Sequence, residues 1–142
     1  MNRCVTPFSS PMRRRIALAA LVAGAFASLP AFAQQVTRRF PISALRGKVV
    51  FTNPPDIELN GDAARLSPGV RIHGFDNMLV VTGAVAGSGS KYVVDYQLES
   101  TGLVSEIWLL TKTEAAVGPW PSTPAQAASW TFDYMAQTWT KP

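Results

Sequence analysis

The sequence is poor in the residues that carry most protein chemistry. Its 142 residues hold one cysteine, Cys4, and one histidine, His73. Cys4 precedes a segment that reads as a cleaved leader, so the remaining chain has no thiol. That excludes a disulfide scaffold, a cysteine-ligated metal site and a cysteine nucleophile. One imidazole without cysteine falls short of the three or four ligands a zinc site takes. No Gly-x-Ser-x-Gly elbow is present, so a serine relay through His73 lacks its setting. An excess of positive charge is missing too. Four of the 13 basic residues, Arg3, Arg13, Arg14 and Arg15, lie in the leader, which leaves nine against nine acidic residues. A neutral chain is not built for nucleic acid, whose affinity comes largely from cation release. The apolar run Ile16 to Leu29 stops at Pro30, short of the roughly 20 residues a membrane span requires.

What the first 33 residues do contain is the three-part pattern of an export signal. Met12-Arg13-Arg14-Arg15 is a basic n-region, Ile16 to Leu29 is uncharged and apolar, and Ala31-Phe32-Ala33 places small residues where the peptidase reads them. Cleavage is expected before Gln34, which places the mature chain in a bacterial periplasm or outside the cell. The general secretory route is the default, with the arginine triplet leaving the twin-arginine route open. About 109 residues then remain, enough for one modest domain. The expected organisation is a signal at 1–33, a flexible lead-in at 34–44, a β-barrel core at 45–111, and a short helix with an aromatic-rich extension at 112–142.

Short strands fill the core. Lys48 to Thr52 is β-branched and aromatic, and Asn53-Pro54-Pro55-Asp56 ends it. Ile57 to Leu59 and Asp62 to Leu66 flank Asn60-Gly61, the strongest local hairpin signal because both residues accept positive φ. Ser67-Pro68-Gly69 predicts a type II turn before Val70 to His73. Met78 to Ala86 is apolar on both faces and predicts a central strand, bent at Gly83. Gly87-Ser88-Gly89-Ser90 predicts a flexible connection, since it lacks the spacing and following helix of a phosphate loop. In Lys91 to Leu98, Tyr92, Val94, Tyr96 and Leu98 share one face. Leu103 to Thr111 is the last long strand. About seven short strands with a turn signal every six to twelve residues predict a mainly β fold. The expected form is a small antiparallel barrel or roll of six to seven strands, of OB-like or SH3-like size.

Past the core, Thr111-Lys112-Thr113-Glu114 has capping-box spacing, and Thr123-Pro124-Ala125-Gln126 predicts a short helix to about Trp130. Trp120, Trp130, Phe132, Tyr134 and Trp139 crowd the last 23 residues. Trp120, Trp130, Tyr134 and Trp139 are therefore the candidate ligand-binding rings, because flat rings with polar edges stack on sugars or peptides. Sealing of one barrel end by the same rings is the competing and preferred expectation. Asp56 and Glu58 share a strand face and are the nearest approach to the carboxylate pair a glycosidase needs. Solvent-facing strand charges explain them with less. No catalytic residue, metal site or cofactor is expected.

Ser88-Gly89-Ser90-Lys91-Tyr92 resembles the Ser-Gly-x-x-Tyr segment of periplasmic inhibitors of c-type lysozymes. The resemblance implies a partner-binding loop of Ser88, Ser90, Lys91 and Tyr92, in which Ser90 or Lys91 offers a donor to a carboxylate of the partner. The family's second motif and disulfide are absent here. A wider stretch is similar to a group of small exported proteins of Gram-negative bacteria with no assigned role. It rests on Ala64 to Ile72, Asn77-Met78-Leu79-Val80, Gly102 to Thr111 and Gln137-Thr138-Trp139-Thr140. That likeness implies export and one β-rich domain, and no activity. The sequence thus predicts a soluble periplasmic protein acting as a non-catalytic binding module. Its expected partner is an envelope protein or a cell-wall component, and it has no membrane span after cleavage. A lysozyme inhibitor or a small carbohydrate-active enzyme is the alternative.

Overall fold

The computed structural model describes residues 38–142. The expected export signal lies outside the described residues, as does the start of the lead-in. Five strands close into a mixed barrel: β1 (Leu45–Asn53), β2 (Asp56–Leu59), β3 (Asp62–His73), β5 (Lys91–Leu98) and β6 (Val104–Leu109). Around the barrel they run β2-β1-β5-β6-β3, and β3 pairs back onto β2. The short β4 (Leu79–Val80) adds to the far end of β3. The small β-barrel expected from turn spacing is thus the fold.

Local chemistry explains the β2–β3 hairpin. Leu59 pairs with Asp62, so the loop is Asn60-Gly61 alone. Both residues sit at positive φ, 57° and 95°, the backbone that matches the twist of the flanking strands. Asn60 does more than turn the chain, because its side-chain Oδ1 accepts the Lys48 backbone N–H at 2.8 Å.

Two expectations need correction. Ser67-Pro68-Gly69 is not a turn: β3 runs through it for 12 residues. There β3 changes partner, from β2 at Asp62 to Arg65 to β4 at Ile72 and His73. Its register with β6 is also irregular between Leu66 and Arg71. A proline without a ladder donor fits at such a bulge. Because the chain does not reverse there, β6 lies parallel to β3, so the barrel is not wholly antiparallel. The second correction is Met78 to Ala86. Only Leu79–Val80 is strand, and α1 (Thr82–Val85) follows it. Val85 enters the barrel core, and the Gly87 N–H donates to Phe51 O. The run closes a barrel end and does not cross the sheet, which leaves Met78, Leu79 and Val81 exposed.

There are two apolar layers. Leu45, Val49, Phe51, Ile72, Val94, Tyr96, Val104, Ile107 and Leu109 fill the barrel, contributed by alternate residues of each strand. Phe40, Ala44, Trp108, Leu110, Trp120 and Trp139 form a second cluster. Trp108 belongs to β6 but points opposite to its core-facing neighbours Ile107 and Leu109, so this cluster lies on the outer face. The C-terminal segments supply its cover: α2 (Lys112–Ala116), α3 (Pro124–Ser129) and the hairpin β7 (Thr131–Asp133) with β8 (Thr138–Thr140). Thr111 and Glu114 form the expected capping box, and Thr123 caps α3 with Pro124 in its first turn. The aromatic extension therefore plates the barrel's flank, where an end seal was expected. From residue 38 onward the lead-in packs against the barrel. Phe40 and Ala44 are buried, and Arg38 donates to Gly74 O, Leu109 O and both Glu114 carboxylate oxygens.

Candidate functional site

On β1 the residues alternate, with Leu45, Gly47, Val49 and Phe51 turned inward and Arg46, Lys48 and Val50 outward. The β1–β5 register sets Arg46 opposite Asp95, Lys48 opposite Val93, and Val50 opposite Lys91. On the other side Val50 faces Glu58 of β2. Arg46, Lys48, Val50, Glu58, Lys91 and Val93 thus share one outer surface. It is concave, with a volume of about 680 Å³, and Ala115 of α2 also lines it.

The cations of this surface are not equivalent. Arg46 is committed to structure. Its Nε donates to Asp95 Oδ1 at 2.9 Å and a terminal nitrogen reaches Oδ2 at 3.2 Å. It also donates to Val117 O and lies 4.6 Å from the Trp120 ring centroid. Asp95 is fully buried. Burial pushes its carboxyl above the ordinary carboxylate range, against the opposing pull of Arg46. Lys48 and Lys91, by contrast, are exposed and have no ion pair among the described residues.

Gly47 sits under this surface because nothing larger fits. A Cβ there would stand 2.7 Å from Asn60 Oδ1 and 2.9 Å from Tyr96 Cε1. Gly47→Ala is expected to push Asn60 off the Lys48 N–H and crowd the buried Tyr96 ring. The expected loss is about 1–3 kcal/mol, as for overpacking elsewhere, read as a lowered urea midpoint at unchanged m-value.

The sequence-derived candidates disperse. Trp120 and Trp139 are buried, 9% and 3% exposed, and Trp120 donates its ring N–H to Ala44 O at 3.0 Å. Trp130 is half-buried under Lys141, and Tyr134 is exposed beside Arg39. No exposed groove joins the four rings. Ser88 and Ser90 are exposed in the connection before β5. The Ser88 hydroxyl donates to Val85 O and accepts from the Ser90 N–H. Tyr92 belongs to the strand itself, packed beside Phe51 and Phe75. Lys91 alone of that motif reaches the concavity.

His73 meets a carboxylate, Glu106, with Nε2 2.8 Å from Oε1. It stacks on Trp108 at 5.4 Å, and Arg71 shares Glu106. Its Nδ1 is buried without a hydrogen-bond partner among the described residues, so no hydroxyl stands where a relay needs one. Asp56 faces Arg65 at 3.8 Å, while Glu58 lines the concavity, so the two do not act as a pair on one cleft. Among the described residues there is no group of three potential metal ligands and no helix long and apolar enough to cross a membrane.

Lys48, Arg46 and Glu58 as members of a basic concavity were not singled out in the sequence. The only local signal was the alternation Arg46, Lys48. Which strand lies beside β1 is a long-range fact. No protein-family model, curated protein or solved structure matches this chain.

Proposed function

We propose that the protein is a non-catalytic binding module of the bacterial envelope and that the β2–β1–β5 concavity is its binding face. One observation carries the reading: an open basic surface with two lysines that have no ion pair among the described residues, beside no group arranged for catalysis. The export pattern of the first 33 residues supports the location. Retention of envelope components by the immobilised chain, lost when Lys48 and Lys91 are both changed to alanine, is the expected result. No retention by the wild type would remove the reading.

Lysozyme inhibition is a second reading, favoured by exposed Ser90 next to Lys91 at the edge of the same face. There an ammonium and a hydroxyl could meet a carboxylate. Lysozyme activity left unchanged by a large molar excess of the purified chain would end it.

A further inference from the structure

We propose that Lys48 and Lys91 receive two carboxylates carried at alternate positions of an extended acidic segment of a partner protein. This rests on the reading of the concavity as the binding face and names what that face takes.

The first argument is how charge is spent across the molecule. Arg38, Arg46, Arg65 and Arg71 each have a carboxylate partner: Glu114, Asp95, Asp56 and Glu106. Arg39 lies over the Tyr134 ring with no ion pair among the described residues, and none of the four lysines has one either. Lys112 stands exposed on α2, and Lys141 lies over the Trp130 ring. Among the cations that line the concavity, Arg46 is paired with Asp95, while Lys48 and Lys91 have no ion pair among the described residues. Residues 38–142 hold nine acidic and nine basic residues, yet this face keeps a local positive field.

The second argument is spacing. Lys48 opposes Val93 and Lys91 opposes Val50, so the two lysines are diagonal neighbours on an antiparallel pair. Such positions are about 7–8 Å apart. Side chains two residues apart on one face of an extended chain are about 6.6–6.8 Å apart. The two spacings agree within the reach of a flexible lysine stem.

The third argument concerns what else lines the surface. Val50, Val93 and Ala115 are its aliphatic lining, and no aromatic ring is among the lining residues. A sugar or a base would lack the flat platform on which it stacks. β1 lies between β2 and β5, and β5 between β1 and β6, so this face is the middle of the sheet and presents side chains. Recognition must run through side chains. Glu58, beside Val50 on the side away from Lys91, repels a carboxylate and so fixes where the anionic part can lie.

The test is fluorescence anisotropy with the full chain and a dye-labelled peptide of alternating Glu and Thr. Its Gln-Thr counterpart and polygalacturonate serve as comparisons. The expected result is binding of the Glu-Thr peptide that weakens steeply with added salt. Lys48→Ala and Lys91→Ala are each expected to weaken it about three- to fivefold, the scale of exposed charge pairs, and Glu58→Gln to strengthen it about twofold. All three side chains are peripheral to the cores, so Tm should stay unchanged. Binding of the Gln-Thr peptide with equal strength, binding unaffected by both lysine changes, or binding of polygalacturonate alone would each overturn the proposal. If the double variant still retains envelope components as the wild type does, the acidic-segment proposal fails while a binding module remains. If the wild type retains nothing, the module itself fails.

Discussion

Arg46→Ala is expected to destabilise the fold by about 3–5 kcal/mol, the usual cost of breaking a buried ion pair from one side. Against a typical total of about 5–15 kcal/mol, that is a large share. The reason is Asp95, which is fully buried and bound by Arg46 through two hydrogen bonds. Without the guanidinium its carboxylate has no counter-charge beside it, and the Trp120 ring loses the cation it lies under. The pH dependence has a definite sign. The Asp95 carboxyl is already raised above its unfolded value, by burial first, with Arg46 opposing. A raised carboxyl contributes its stability below the unfolded value and loses it as pH climbs through the folded one. Removing Arg46 lifts the folded value further. The variant's deficit should therefore be smallest in acid and grow toward neutrality, as read by urea unfolding across a pH series. Arg46→Met combined with Asp95→Leu should recover most of the loss. A single variant that loses less than about 1 kcal/mol, the scale of an exposed ion pair, would show that the Arg46–Asp95 pair behaves as a surface one.

Arg38→Ala is the second large effect, about 3 kcal/mol. The Arg38 side chain is 7% exposed. It holds both Glu114 oxygens at 2.7 and 2.6 Å and the carbonyls of Gly74 and Leu109 at 2.8 and 2.7 Å. One guanidinium thus joins the lead-in, the end of β3, the end of β6 and the cap of α2. Removing it strands two carbonyls and a carboxylate. Burial tends to raise the Glu114 carboxyl, but its bonds to Arg38 and to the Thr111 N–H and hydroxyl outweigh that and hold it below the ordinary range. A depressed carboxyl stabilises above its unfolded value and loses that contribution as pH falls through the folded one. The wild type should therefore lose stability on acidification below the ordinary glutamate range, and Arg38→Ala should lose less over the same interval. Amide exchange across residues 38–44 should quicken in the variant. Arg38→Lys should rescue little, because a lysine cannot donate along the four directions this fork serves.

The parts of the fold that were legible are those decided within a few residues. Asn60-Gly61 makes its hairpin because both residues take positive φ. Thr111 with Glu114, and Thr123 with Pro124, cap their helices because orphan N–H groups lie within reach of a side chain. Ser67-Pro68-Gly69 carries an equally good turn signal and makes no turn. Pairing of β3 with β2, β4 and β6 along its length outweighs the local preference. Met78 to Ala86 misleads for a related reason, since an apolar run is equally at home in a strand or as a plug. The concavity was legible only at Lys91, which drew attention through the Ser-Gly-Ser preceding it. Lys48 was marked only by its alternation with Arg46.

Composition and short-range chemistry determined that residues 34–142 carry no thiol and no net charge, and that closely spaced turns break them into strands of a small barrel. Those properties depend on residue identity and on φ preferences over two or three positions. The tertiary structure alone decided that β6 runs parallel to β3, that Trp120 and Trp139 are spent on an outer core, and that Arg38, Arg46, Arg65 and Arg71 take carboxylates. It thereby left Lys48 and Lys91 together on an open face. Each of these is a choice of partner between distant segments, and such a choice is made only when the sheet closes.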